Sequence, residues 1–283
     1  MHPAGMPTTP HAAAPGPAPE WDPQQYLRHS GHRLRPLLDL LARVPAELPG
    51  GDAPRIADLG CGPGGPSTVL AERYPHARVT GYDNSPAMLD EARAHARDGR
   101  LDFAEADLAT WRPAPGDRFG LLFSNAALQW VPGHAASFPA WVDALPSGGA
   151  LAFQVPGNFS SPSHTLLAEL RDSPRWRGRL GAPDRTDAVL TPAGYAERLL
   201  ALGCEVDAWE TTYLHLLTGE DPVLDWTKGT ALRPVLTLLA DDPEARDAFT
   251  ADYAAALRAA YPPGPDGRTA FPFRRVFVVA VKR

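Results

Sequence analysis

Two rhythms of apolar and polar residues divide this chain, and each change of rhythm marks an element. From Arg55 onward, short apolar runs stand at 55–60, 78–83 ("RVTGYD"), 101–106 ("LDFAEA"), 119–125 ("FGLLFSN") and 149–155 ("GALAFQV"). Bounded by Gly, Pro, Asp and Asn, they predict buried strands. Between them, apolar positions recur at helical spacing over 66–74, 86–97 and 135–145. Ser85 before Pro86, and Thr191 before Pro192, each set a capping hydroxyl ahead of a proline suited to a first helical turn. Gly203 closes the second of these helices, over 191–203. Strand and helix in alternation predict a parallel sheet covered on both faces, a doubly wound α/β fold.

The two ends extend this pattern. Leu27, Leu34, Leu37, Leu38 and Leu41 predict a helix over about 24–43 that leads into the first strand. The alternating run "CEVDAWETTYLHLL" at 204–217 and the closing "RRVFVVAVKR" at 274–283 bring the strands to seven. Residues 221–262 are rich in helical signal and carry no glycine loop. They predict a helical cap inserted between the last two strands, with the N-terminal segment as its other part. Residues 1–20 are Pro, Ala and Gly with almost no large apolar side chain, and so predict a disordered tail before an ordered unit over 21–283.

The densest chemical signal is "IADLGCGPGGPSTVL", where Gly60, Gly62, Gly64 and Gly65 lie between the first strand and the helix after it. Glycines there permit backbone angles that a Cβ resists and let a ligand approach the main chain. Gly60-x-Gly62-x-x-Gly65 satisfies a dinucleotide fingerprint, and Asp83 ends the second strand where an acid would take ribose hydroxyls. A nicotinamide dinucleotide and S-adenosylmethionine both fit that spacing. Asp58 beside the turn suits a ligand with an ammonium and a sulfonium better than one with a pyrophosphate. Asp107, at the end of the third strand in "EADL", is placed to accept from an adenine amine, with Leu108 against the ring. Any one of these acids alone reads as a solvated strand end or a cap; three at successive strand ends, where open α/β sheets bind ligands, read as a site.

In this order and at these spacings, "DLGCGPG", "GYDNSPAML", "EADL" and "SNAALQWVP" resemble the Rossmann-like class I S-adenosylmethionine-dependent methyltransferases. That resemblance implies a cofactor set of Asp58, Gly60, Gly62, Gly64, Asp83, Asn84, Met88, Asp107, Leu108 and Asn125. Asn84 stands where relatives usually carry Ser, and "GPGGPST" departs from their commoner loop, which shifts the expected helix start. The flanks, "WDPQQYLRHSGHRLRP", "VPGNFSSPSH", "GTALRP" and "FPFRRVFVVA", resemble the branch that esterifies trans-aconitate. The resemblance covers about residues 21–283 and implies monomethyl ester formation on a carboxylate of that tricarboxylate or a close polycarboxylate.

Composition narrows the rest. A net charge of -6 and a pI near 5.8 give no general field for nucleic acid or anionic lipid, so an anionic substrate needs a local arginine cluster. No apolar run reaches the roughly 18 residues of a membrane span, and no signal-peptide core opens the chain. Cys61 and Cys204, the only cysteines, offer no disulfide framework. The expectation is a cytoplasmic protein. A carboxylate acceptor is ionised at neutral pH, so no general base and no metal is expected. Capture of a tricarboxylate points to Tyr26, His29 and Arg33 (or Arg28 and Arg35 in its place), Trp130, Tyr213, His215, Arg233 and Arg275. Arg274 and Arg275 face opposite sides of a regular strand, so at most one of them is expected to reach a single pocket. Two further readings stay open: a nicotinamide oxidoreductase, and a regulator that binds the adenosyl cofactor without turnover.

Overall fold

The computed structural model describes residues 30–181 and 189–283, with side chains from Leu34 on. The expected tail over 1–20 and the beginning of the expected helix at 24 lie outside these residues. Seven strands form one sheet: β1 (Arg55–Leu59), β2 (Arg78–Asp83), β3 (Leu101–Glu105), β4 (Leu121–Asn125), β5 (Ala150–Pro156), β6 (Cys204–Leu217) and β7 (Thr269–Lys282). Their order is β3-β2-β1-β4-β5-β7-β6, parallel throughout except that β7 runs antiparallel to both β5 and β6. The chain therefore has the doubly wound, mostly parallel fold that its alternation predicts. β4 and β5 lie buried on both faces, which is why they read as unbroken apolar runs rather than as alternation.

The described helices are α1 (Ser30–Leu41), α2 (Gly65–Arg73), α3 (Pro86–Ala92), α4 (Phe138–Asp143), α5 (Pro162–Asp172), α6 (Arg177–Leu180), α7 (Pro192–Ala201), α8 (Pro222–Lys228), α9 (Arg233–Leu238) and α10 (Pro243–Ala260). Eight of them, α2 to α5 and α7 to α10, carry a proline in the first turn. There its missing N–H costs no hydrogen bond and its fixed φ already suits the helix. Eight of the chain's 32 prolines thus mark helix starts. Ser85 caps α3 by accepting from the Met88 N–H, and Thr191 caps α7 by accepting from the Gly194 N–H. Gly203, at φ 81°, follows the last turn of α7 in the left-handed conformation expected of a helix stop.

Three departures from the sequence pattern have local causes. The helix expected over 86–97 ends at Ala92 and tightens into a 3-10 turn over Arg93–His95. The one expected over 135–145 divides into a 3-10 turn at His134–Ser137 and α4, where Pro139 enters the first turn. The helix α5 was not expected at all, since its polar start, "SSPSH", hides the short apolar stripe behind it.

Side chains pack on both faces of the sheet. On one, Leu59, Leu122 and Phe153 meet Phe138, Trp141, Tyr195 and Leu199; on the other, Ile56, Val79, Phe123 and Phe277 meet Leu37, Leu40 and Leu41 of α1 and Leu70 of α2. A third core joins α5 to the insertion, through Trp226, Phe249 and Tyr253 against Phe271 and Phe273. What allows that core is the length of the last two strands. β7 pairs with β5 only from Arg275 to Val281, so Thr269–Arg274 run on beyond the parallel sheet with β6 alone. This two-stranded extension is the wall on which the helical cap is built. α1 packs on the flat of the sheet, and the segment before it lies outside the described residues. No described helix is long and apolar enough to cross a membrane.

Gly60 ends β1 at φ 79°, and a Cβ placed there would collide with the Ala127 methyl. Gly60→Ala is expected to lose about 2–4 kcal/mol of stability from left-handed strain and overpacking together. Denaturant unfolding measures it.

Candidate functional site

The loop after β1 is folded by its own backbone. The N–H groups of Gly60 and Cys61 both donate to the Tyr82 carbonyl, at 2.8 and 2.9 Å, and the Gly64 N–H donates back to the Cys61 carbonyl at 3.2 Å. Gly60, Gly62 and Gly64 take φ of 79°, 54° and 87°, so three glycines are required by conformation. Above Gly62 and Gly65 the space that a Cβ would enter is open for 4 Å. The Cys61 thiol is buried, and burial pushes its pKa up, so it stays protonated.

Asp83 ties this loop to the next one. Its Oδ2 accepts from the Gly62 N–H and its Oδ1 from the Ser85 N–H, both at 2.9 Å. Each oxygen keeps a further lone pair, the pattern needed to receive two adjacent hydroxyls. Partial burial raises its pKa, and the backbone N–H groups oppose that rise. Asn84 is exposed beside it, and Met88 is buried in the first turn of α3. Leu108 is buried, its Cδ1 3.4 Å from the position a Cβ on Gly60 would take. Asp107 is exposed, and one oxygen accepts from the Ala109 N–H at 2.9 Å, which leaves the other for a ligand.

Asp58 is placed differently from the expectation. It has no exposed surface, and the Ser67 hydroxyl donates to its Oδ2 at 2.6 Å, tying α2 to β1. Its Oδ1 is buried with no hydrogen-bond partner. Burial pushes its pKa up to about 7, against the Ser67 hydrogen bond, with the nearby Asp83 charge adding to the rise. Asp58 therefore acts from beneath the loop, by anchorage and by its field.

Beside the loop, at the end of β4, a polar chain crosses the sheet. The Arg275 guanidinium donates to Gln154 Oε1 at 3.0 Å, and Gln154 Nε2 donates to Asn125 Oδ1 at 2.7 Å. Arginine offers only donors, so each amide in turn is oriented and the Asn125 NH2 is left to face another acceptor. The next residue, Ala126, holds φ 57°, the one left-handed non-glycine among the described residues. Strain of this kind persists where the surroundings impose it, and the Ala126 N–H is held by the Gln154 carbonyl at 2.9 Å.

This chain of amides borders a cavity of about 940 Å³ under the helical cap. Asn125, Trp130 and Arg275 of the expected residues line it, and Arg171 and Arg274 join them against Glu169 and Glu210. Glu210 pairs with Arg274 at 3.4 Å, and three arginines against two glutamates leave the lining with one positive charge in excess. Arg275 is 4% exposed, its guanidinium 4.7 Å over the Phe273 ring, whereas the Arg274 side chain is 45% exposed; both nonetheless line this one cavity, against the expectation that at most one would reach it, because β7 here runs beyond the parallel sheet. His164 lines the cavity too, and burial lowers its pKa to about 4, which leaves it neutral at pH 7.

The structure does not bring all the expected acceptor residues here. The Tyr213 hydroxyl donates to Asp39 of α1 at 2.7 Å, and His215 stacks on Trp226 at 4.7 Å; both are buried packing residues outside the cavity wall. Arg233 opens α9 without lining the cavity, which its neighbour Pro234 does. Tyr26 and His29 lie outside the described residues, and Arg33 is placed only as part of α1. Gln154 and Asn158 line the cavity without having been expected there. A lone amide inside the apolar run "GALAFQV" was the available sign for Gln154.

A family model described as "Methyltransferase domain" matches residues 56–149. A trans-aconitate 2-methyltransferase from Streptomyces coelicolor is 61% identical over 273 residues, covering 95% of this chain and 88% of the relative. The chain belongs to the trans-aconitate 2-methyltransferase family. Two solved structures share the fold. The YcgJ protein from Bacillus subtilis is 14% identical with a TM-score of 0.54, over 89% of this chain and 99% of its own. Phosphoethanolamine N-methyltransferase 2 of Haemonchus contortus, solved with S-adenosyl-L-methionine, is 19% identical with a TM-score of 0.55, over 92% of this chain and 56% of its own. The methyltransferase match ends before β5, so it takes in the glycine loop, Asp83, Asp107 and Asn125. The wall from Gln154 onward lies beyond that match, within the 95% of this chain that the Streptomyces coelicolor relative covers.

Asp58 gives this site a pH signature. A carboxyl held at about 7 in the fold and near 3.8 when unfolded lowers stability as pH rises between those values, by about 1.4 kcal/mol per unit. Asp58→Asn is therefore expected to melt higher than the parent at pH 8, with the gain shrinking as pH falls from 7 towards 4. Thermal melts across that range check it, and a less stable variant at pH 8 contradicts it.

Proposed function

We propose that the protein esterifies one carboxylate of trans-aconitate with the methyl group of S-adenosylmethionine, giving the monomethyl ester and S-adenosylhomocysteine. The observation that carries this is the junction at Asn125, where the open glycine cradle and Asp83 adjoin a large cavity holding a buried arginine. The residues present fit the cofactor: Asp83 retains acceptor sites for ribose hydroxyls, Asp107 one for an adenine amine, and the loop above Gly62 has room for close approach. When bound, S-adenosylmethionine supplies an electrophilic methyl on a sulfonium, open to in-line displacement by a carboxylate oxygen.

The chain's task is then alignment and exclusion of water. Arg275 neutralises part of the acceptor's charge in a site where low polarity strengthens the pairing. Asn125, oriented through Gln154, offers its NH2 at the end of the cavity next to the glycine loop. No group has to remove a proton, since the attacking carboxylate is ionised already, and the neutral His164 adds no charge. Family membership decides against the nicotinamide reading, and turnover is the measurement that distinguishes an enzyme from a regulator without catalysis.

Incubation with S-adenosylmethionine and trans-aconitate is expected to give methyl ester and S-adenosylhomocysteine by mass spectrometry, with little ester from cis-aconitate, isocitrate or citrate. Equal methylation of all four acceptors contradicts the substrate assignment. Arg275→Gln is expected to raise the acceptor KM about 10- to 100-fold, the worth of a lost hydrogen bond to charge, while cofactor binding holds. Asp83→Ala is expected to show the reverse split, with cofactor affinity falling and acceptor recognition by the cavity intact. Steady-state kinetics and cofactor titration separate the two.

A further inference from the structure

Asn158 stands in the cavity wall with an amide that the protein does not use. It is 3% exposed, and neither Oδ1 nor Nδ2 has a hydrogen-bond partner. Buried amides are ordinarily paired, because a donor or acceptor withdrawn from water without a replacement is costly. Relaxation of the backbone offers no escape. The Gly157 N–H donates to the Arg274 carbonyl at 2.8 Å, the Arg274 Nε donates to the Gly157 carbonyl at 2.6 Å, and the Ser161 N–H donates to the Asn158 carbonyl at 2.9 Å. The nearby hydroxyls of Ser161 and Ser163 are 2.9 Å apart and bond each other. A pinned residue thus keeps a donor and an acceptor vacant at the wall of this cavity, shortly before α5.

We infer that Asn158 is an acceptor-specificity residue, whose amide receives a carboxylate of the substrate other than the one esterified. This rests on the trans-aconitate reading above. Nδ2 donates to a carboxylate oxygen, and a water carried by that carboxylate donates to Oδ1. The placement follows from the chain. Ala127 abuts Gly60, so the reacting end of the cavity lies at Asn125 and Ala126, whereas Asn158 follows β5 towards the cap. Ser163 and His164 of the first turn of α5 line the cavity with Asn158, and the first-turn N–H groups of that helix already donate to Tyr261 and to the Ser161 carbonyl, so the vacant amide there is that of Asn158. Arg275 and Asn158 then hold separate carboxylates, and an acid with only one would engage only one of them.

The test is calorimetric binding of trans-aconitate to the full chain saturated with S-adenosylhomocysteine, beside thermal melts without ligand. Asn158→Leu is expected to bind trans-aconitate about tenfold more weakly, the worth of one charge-assisted hydrogen bond. S-Adenosylhomocysteine affinity should be unchanged, and the melting temperature no lower than that of the parent, since a costly vacant amide has gone. Asn158→Asp keeps the shape and is expected to bind still more weakly at pH 7.5, recovering at pH 5 as its carboxyl protonates; a purely structural role would not move with pH in this way. Unchanged trans-aconitate binding in both variants overturns the inference alone. So does a lower melting temperature with cofactor-product binding lost as well. Failure of the parent protein to bind trans-aconitate overturns the function reading and this inference together.

Discussion

A guanidinium can donate hydrogen bonds and cannot accept them, and much of the site depends on that asymmetry at Arg275. Buried among aromatic rings, it fixes which end of the Gln154 amide faces it, and Gln154 fixes Asn125 in turn. Three strands, β7, β5 and β4, are thereby given one polar orientation across the end of the sheet. A lysine in the same place would keep the charge and lose the planar fork that also rests on the Phe273 face. The strained Ala126 follows from this arrangement, since its N–H is held by the strand that carries Gln154.

The fold supplies Arg275 to that position through an unusual pair of strands. Because β7 enters antiparallel between β5 and β6 and overruns the parallel sheet, residues 269–274 can carry aromatic packing for the cap while residue 275 begins the sheet proper. The cap core of Trp226, Phe249, Tyr253, Phe271 and Phe273 is therefore continuous with the wall of the cavity. Its closure over the strand ends lowers the local polarity around Arg275, where pairing with an anion would be stronger than at a wet surface. On the other side of Asn125, the glycine loop approaches closely enough that Gly60 touches the residues after β4. Glycine loop and cavity thus share one strand end.

What was legible in the sequence is what local rules determine. Strands β1 to β6, the caps at Ser85 and Thr191 and the glycine turn all depend on neighbouring residues, and each is found close to where the pattern put it, whereas β7 begins at Thr269, ahead of the run at 274–283 that announced it, because its first residues pair with β6 alone. Asp83 and Asn125 were legible because strand ends in an open parallel sheet face the ligand side. Tyr213 and His215 share one face of β6, but that face meets α1 at Tyr213 and the cap at His215, a difference set by tertiary packing alone. Gln154 reads as an interruption in an apolar run until Arg275 arrives from a strand more than a hundred residues later. Asp58 reads as a ligand, and only the position of Ser67 on α2 shows it buried beneath the loop.

The most direct test of the account is a crystal structure of the protein with S-adenosylhomocysteine and trans-aconitate bound together. One carboxylate is expected beside Asn125 in line with the cofactor sulfur, with the others at Arg275 and Asn158. Tricarboxylate bound outside the cavity, or inside it with no carboxylate near Arg275, would contradict it.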